Sequence, residues 1–101
     1  MRNFLMATAA AALTAGTAIA GSHSGEIKIG VILGFTGPLE TITPSMGLGA
    51  ELAMKEVTAS GKLLDGATVT PVRGDSTCID AAAATAAAER LITSDKVDAI
   101  M

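Results

Sequence analysis

The sequence predicts an α/β protein built on a parallel sheet, with its elements in the order strand, helix, strand, helix, strand. Ile27, Ile29, Val31, Ile32 and Leu33 form an apolar run broken only by Lys28 and Gly30. That suits a strand covered on both faces better than a half-exposed hairpin strand. Two helix-length segments follow, and the second is seven alanines around Thr85. A helix between each pair of strands makes each connection a right-handed crossover between parallel strands.

The first twenty residues read as a secretory signal rather than as part of the fold. Arg2 supplies a positive start, and the stretch from Phe4 to Ala20 carries no charge. Ala18-Ile19-Ala20 is a small-residue cleavage pattern, followed by the loop-like Gly21-Ser22-His23-Ser24-Gly25. The apolar run is too short and too weakly hydrophobic for a membrane anchor. Cleavage after Ala20 leaves 81 residues, 21–101, with a formal charge of -4 because Arg2 departs with the signal. A mildly acidic chain without a Lys/Arg cluster is a poor nucleic acid binder. Phe35 is then the one aromatic residue left, so stacking platforms for bases are missing.

Gly30 within the first strand predicts that another element packs closely there. From Gly34 to Pro44 the chain is loop, with Gly37-Pro38 blocking a helix and Thr43 or Ser45 as a cap ahead of the next one. That helix runs to about Ser60, with Met46, Ala50, Ala53, Met54 and Val57 expected inward, Glu51 and Lys55 paired four apart, and Gly61 as the stop. Asp65-Gly66 makes a turn into the second strand, Ala67 to Arg73, where Pro71 cannot donate to a ladder and so places the strand at a sheet edge. Residues 74–79 form a loop and Asp80 caps a helix from Ala81 to about Thr93. Its alanines allow it to lie close on the sheet near Gly30. Val97 to Met101 reads as the third strand. A sheet ending there leaves an open edge, so the sequence reads as the N-terminal part of a longer protein, one that would be marginally stable alone.

In such a sheet, the loop at the carboxyl end of the first strand is where ligands usually sit. Phe35, Thr36, Gly37, Pro38, Ile42 and Thr43 are therefore the candidate ligand-binding residues. The glycine spacing Gly30, Gly34, Gly37 resembles a dinucleotide motif only loosely. Gly30 lies inside the strand, and Pro38 delays the helix whose amides would meet a pyrophosphate. Cys78 is the single cysteine and His23 the single histidine. A Cys/His nucleophilic pair and a metal site both lack ligands, so no enzyme, metal or cofactor is expected. An unpaired cysteine in an exported protein is either buried and inert or bonded to a cysteine elsewhere, and we favour the second. Asp75, Ser76, Thr77 and Asp80 form a polar cluster best explained by capping and turns.

Several motifs together carry a family resemblance. They are Ile27-Lys28-Ile29-Gly30-Val31 leading to Thr36-Gly37-Pro38, then Gly49-Ala50-Glu51-Leu52-Ala53, then Asp75-Ser76-Thr77-Cys78. In this order and behind a signal, they resemble the opening of the periplasmic Leu/Ile/Val-binding proteins of ABC transporters. The resemblance covers residues 26–101. It implies a type I periplasmic-binding-protein fold with two α/β lobes, of which residues 21–101 begin the first. A small amino-acid-like ligand would sit between the lobes, and closure on it would present the protein to a membrane permease. It further implies a disulfide from Cys78 to a cysteine soon after Met101, and a periplasmic location. Leu39-Glu40-Thr41-Ile42 stands where many members carry a ring, which leaves the ligand open to another amino acid, an amide or a small carboxylate. A sensor module of the same fold and a secreted Rossmann-like enzyme are the alternative readings.

Overall fold

The computed structural model describes residues 25–101; the signal-like segment and His23 lie outside them. The elements run β1 (Glu26–Leu33), α1 (Thr43–Ser60), a short 3-10 turn (Leu63–Asp65), β2 (Thr68–Asp75), α2 (Ala81–Thr93) and β3 (Ala99–Ile100). All strand pairs are parallel and the sheet order is β2-β1-β3. β1 is thus the central strand and β2 an edge, as the apolar run and Pro71 predict.

Side chains of successive strand residues point to opposite faces, and the two helices divide those faces between them. Even-numbered positions meet α2. A Cβ placed on Gly30 would lie 3.0 Å from Leu91 Cδ1, and one on Gly74 would lie 3.0 Å from the same atom and 3.5 Å from the Ala87 Cβ. Odd-numbered positions meet α1, where Arg73 reaches Glu51. Two crossovers of one hand that run in opposite directions must lie on opposite faces. The path moves outward from β1 to β2 and back past β1 to β3. The strand order therefore reverses at β1, which is the switch point of a doubly wound sheet.

Leu91 is fully buried, and its tip fills the hole between the two strand glycines. Asp80 caps α2 through its side chain, accepting from the amides of Ala82 at 2.8 Å and Ala83 at 3.2 Å. Val31 is the buried counterpart in β1.

α1 departs from expectation in three respects. Of the residues expected inward Met54 is buried, whereas Met46, Ala53 and Val57 are exposed, and Thr43 and Gly47 are buried instead. The helix is rotated because the Phe35 ring needs the room that only Gly47 leaves, so apolar spacing does not choose the face. Ile42, without a side-chain cap, occupies the cap position in place of Thr43. Glu51 turns to Arg73 rather than Lys55, since a forked pair with a guanidinium outweighs a pair four apart on one helix. Gly61 ends the helix in the left-handed conformation, as expected. β2 begins one residue later than predicted and continues to Asp75, and β3 is shorter, because Val97 turns back to donate its amide to the Leu91 carbonyl.

The free edge of β2 is closed against pairing. Its even-numbered backbone groups bond toward β1, as Thr68 does to Gly25 and Ser76 to Leu33. The odd ones face outward. There the Val69 amide donates to Thr58 Oγ1 at 2.9 Å, Pro71 has no N–H, and the Arg73 carbonyl accepts from Arg90 Nη2 at 2.6 Å. Blocked edges of this kind resist strand addition from other chains.

Two outcomes follow for the protein. Leu91→Ala lowers unfolding free energy by about 2–5 kcal/mol. Gly74→Ala also destabilises, but the double variant loses less than the two combined, because the added methyl occupies space that Leu91 vacates; denaturant midpoints give the three values. Thr58→Val with Pro71→Val reopens two outward amides, and light scattering registers concentration-dependent association that the wild type does not show.

Candidate functional site

The loop 34–42 leaves the carboxyl end of β1, and the loop 76–80 leaves that of β2 beside it. Hydrogen bonds join the two. Thr36 Oγ1 donates to Asp75 Oδ2 at 2.6 Å, and the other carboxylate oxygen accepts the Thr77 amide at 2.9 Å. The Ser76 amide donates to the Leu33 carbonyl at 2.9 Å, and Ser76 Oγ accepts the Cys78 amide at 3.3 Å. Gly34 lies beneath this second loop. A Cβ there would be 2.8 Å from Cys78 Sγ and 3.0 Å from the Thr77 carbonyl carbon, so no side chain fits between the loops.

The first loop is tied down at both ends. Thr43 is 3 % exposed, and its hydroxyl contacts the Gly34 carbonyl and, at 3.1 Å, the Leu39 carbonyl. Phe35, half-buried, lies against Gly47 on one side and under the Arg73 guanidinium, 4.7 Å from the ring centroid. Arg73 Nε and Nη2 in turn reach both Glu51 oxygens, at 2.5 and 3.1 Å. That hydrogen bonding holds the Glu51 carboxyl below its ordinary range and pushes the Arg73 guanidinium up. Between these anchors Thr36, Gly37, Pro38 and Ile42 are exposed.

The six candidate residues thus fall into two groups. Thr36, Gly37, Pro38 and Ile42 present surface at the strand end, with the Thr36 hydroxyl spent on Asp75, whereas Phe35 and Thr43 are engaged in holding the loop. The chain pattern missed Asp75 as the acceptor that fastens Thr36, as well as the Arg73–Glu51 fork. Pairs so far apart in sequence leave no periodic signal. Cys78 carries a free, exposed thiol near Gly34. It borders an open groove of about 460 Å³ between β1 and the start of α2, lined by Ile32, Ser76, Ile79, Asp80 and Ala84 among others. Among the described residues no group of three or more His, Cys, Asp or Glu is placed to hold a metal ion, and no helix is long and apolar enough to cross a membrane.

An open parallel sheet whose strand order reverses at β1 is that of a doubly wound domain, the class in which ligands usually bind at such a strand end. The family model for periplasmic binding proteins matches residues 26–101, and the chain belongs to that family. It is 37% identical over 100 residues to the Leu/Ile/Val-binding protein homolog 7 of Brucella abortus (strain 2308), covering 99% of this chain. The same identity holds for the proteins of that name in Brucella suis biovar 1 (strain 1330) and Brucella melitensis biotype 1. The chain spans 24% of the length of these relatives. No solved structure matches it.

Asp75 supplies a pH test of the loop junction. Hydrogen bonds from Thr36 and then from the Thr77 amide hold its carboxyl below the ordinary value of 3.8. A depressed carboxyl contributes stability that is complete above the ordinary value and lost as pH falls through the folded one. Carbon-detected NMR titration should show Thr36→Val moving the Asp75 midpoint upward while distant carboxylates keep theirs.

Proposed function

We propose that this chain belongs to an extracytoplasmic solute-binding protein that holds an amino acid or similar small polar molecule in a cleft between two lobes. It delivers that solute to the membrane permease of an ABC transporter. The observation that carries this reading is the position of loop 34–42. It stands at the sheet's switch point, anchored at its ends and exposed in its middle, in a chain of the periplasmic binding protein family. The relatives' name, Leu/Ile/Val-binding protein homolog, favours aliphatic amino acids among the possible solutes.

In this reading the exposed Thr36, Gly37, Pro38 and Ile42 meet the solute, while Phe35 and Thr43 fix the loop that carries them. The protein binds and releases without chemistry and uses no cofactor. Residues 1–20 direct export to the periplasm, and residues 21–101 open the first lobe. There Cys78 bonds to a cysteine following β3, which fits an exposed thiol on the rim.

Calorimetric titration of the full-length protein with leucine, isoleucine, valine and other small polar metabolites tests the proposal. Saturable binding of at least one is expected, and binding of none overturns it. A Gly37→Val variant should bind more weakly by about tenfold or more, since Gly37 holds a φ of 92° that a β-branched residue resists. Thiol titration of the oxidised protein should find Cys78 unreactive until a reductant is added.

A further inference from the structure

We propose that Arg73 is the positioning residue of the solute-facing loop, acting through Phe35; this rests on the reading that loop 34–42 meets the solute. Phe35 is the second residue of that loop and the only aromatic one among the described residues. Its ring is held between two elements, α1 and β2. A Cβ on Gly47 of α1 would lie 2.7 Å from ring atom Cε1, 3.0 Å from Cζ and 3.8 Å from Arg73 Nη2. Ring, helix backbone and guanidinium therefore meet at one point.

Arg73 belongs to β2, on the strand face that α1 covers, and its fork onto Glu51 fixes the plane that lies over the ring. The contacts close a circuit from Glu51 through Arg73 and Phe35 back to Gly47, four residues before Glu51. Rotating the ring out of place would require α1 to shift along β2 or the fork to break. Arg73 and Glu51 are partly exposed, at 43% and 26% for their side chains, so the clamp adds little to global stability. Its effect falls on the loop. A solute that requires the ordered loop binds with an apparent affinity reduced by the fraction of time the loop is out of place.

Lysine cannot reproduce this arrangement, because it lacks both the planar fork and the stacking surface. Arg73 is accordingly a shape requirement rather than a charge requirement. Arg73 itself need not touch the solute.

The test uses the full-length protein and two readouts, hydrogen exchange of the amides of residues 35–42 without solute, and calorimetric affinity for leucine. Arg73→Ala should speed exchange in this loop while α2 and β1 keep their protection, and should weaken leucine binding about three- to tenfold. Arg73→Lys should recover little of either, and Glu51→Gln, which keeps one hydrogen bond, should fall between. Should Arg73→Ala fail to fold, Phe35→Leu with Glu51→Gln carries the same comparison. Unchanged loop exchange in these variants overturns the clamp, as does faster exchange with unchanged affinity or full recovery by lysine. If the wild type binds none of the solutes tried, the functional reading fails, and the exchange data still decide whether Arg73 orders the loop.

Discussion

Leu91 seated between Gly30 and Gly74 is the contact on which the rest of the structure depends. Both glycines would place a Cβ 3.0 Å from the same methyl of Leu91, so neither strand can carry a side chain there without displacing the helix. This brings α2 onto the sheet at close range, where its alanines have few atoms with which to bury area. A helix of such small side chains gains from packing only if it approaches closely. Leu91, with 0% exposure, supplies the shape that fixes the register, and the alanines follow it down.

The opposite face solves the converse problem. There the glycine is on the helix, at Gly47, and the knob comes from the loop, at Phe35. Each face thus has one large side chain and a hole made by glycine, but with different consequences. Leu91 locks a helix to two strands, a purely architectural contact. Phe35 locks the start of a loop to a helix, and that loop stands at the rim where the strand order reverses. The core contact and the site contact are therefore separable, and damage to one need not propagate to the other.

This separation also explains what could be read from the chain. Strand and helix order was legible because it rests on local signals: the apolar run at Ile27–Leu33, the alanine segment behind Asp80, and Pro71 marking the edge. Gly30 announced a close approach and the position of α2 followed. The inward face of α1 was legible only at Met54. Met46 and Val57 match a helical stripe, yet the buried positions are Thr43, Gly47 and Met54, because a ring eight residues away from the first of them sets the rotation. The same limit applies to the site. Loop 34–42 stands out by its glycines and proline, but Asp75 and Arg73 reach it from β2 through the tertiary fold. Thr43 looked like a cap because threonine before proline so often is one, and its hydroxyl is spent on the Gly34 and Leu39 carbonyls instead.

The pattern of anchoring in the loop carries a mechanical consequence. Near its start, Phe35 is clamped and Thr36 is fastened to Asp75; at its end, Thr43 is buried in contact with Gly34. Between them the backbone bonds are local ones, from Glu40 to Gly37 and from Ile42 and Thr43 to Leu39. Fixed ends with a locally bonded middle let Gly37 and Pro38 adjust over short distances, while Leu39 stays tied to Thr43 at the start of α1. A rigid surface would hold one solute shape, and a loose loop would lose affinity to the cost of ordering it. In the proposed function the ends limit that cost and the middle keeps some choice of contact. Since the fastening runs through Asp75 and Arg73, both on β2, the edge strand takes part in shaping the rim although it lies outside the switch point. Closing the outer edge of β2 with Thr58, Pro71 and Arg90 then protects more than solubility: a strand added there would compete with Arg90 for the Arg73 carbonyl and disturb the residue that, in our proposal, holds Phe35.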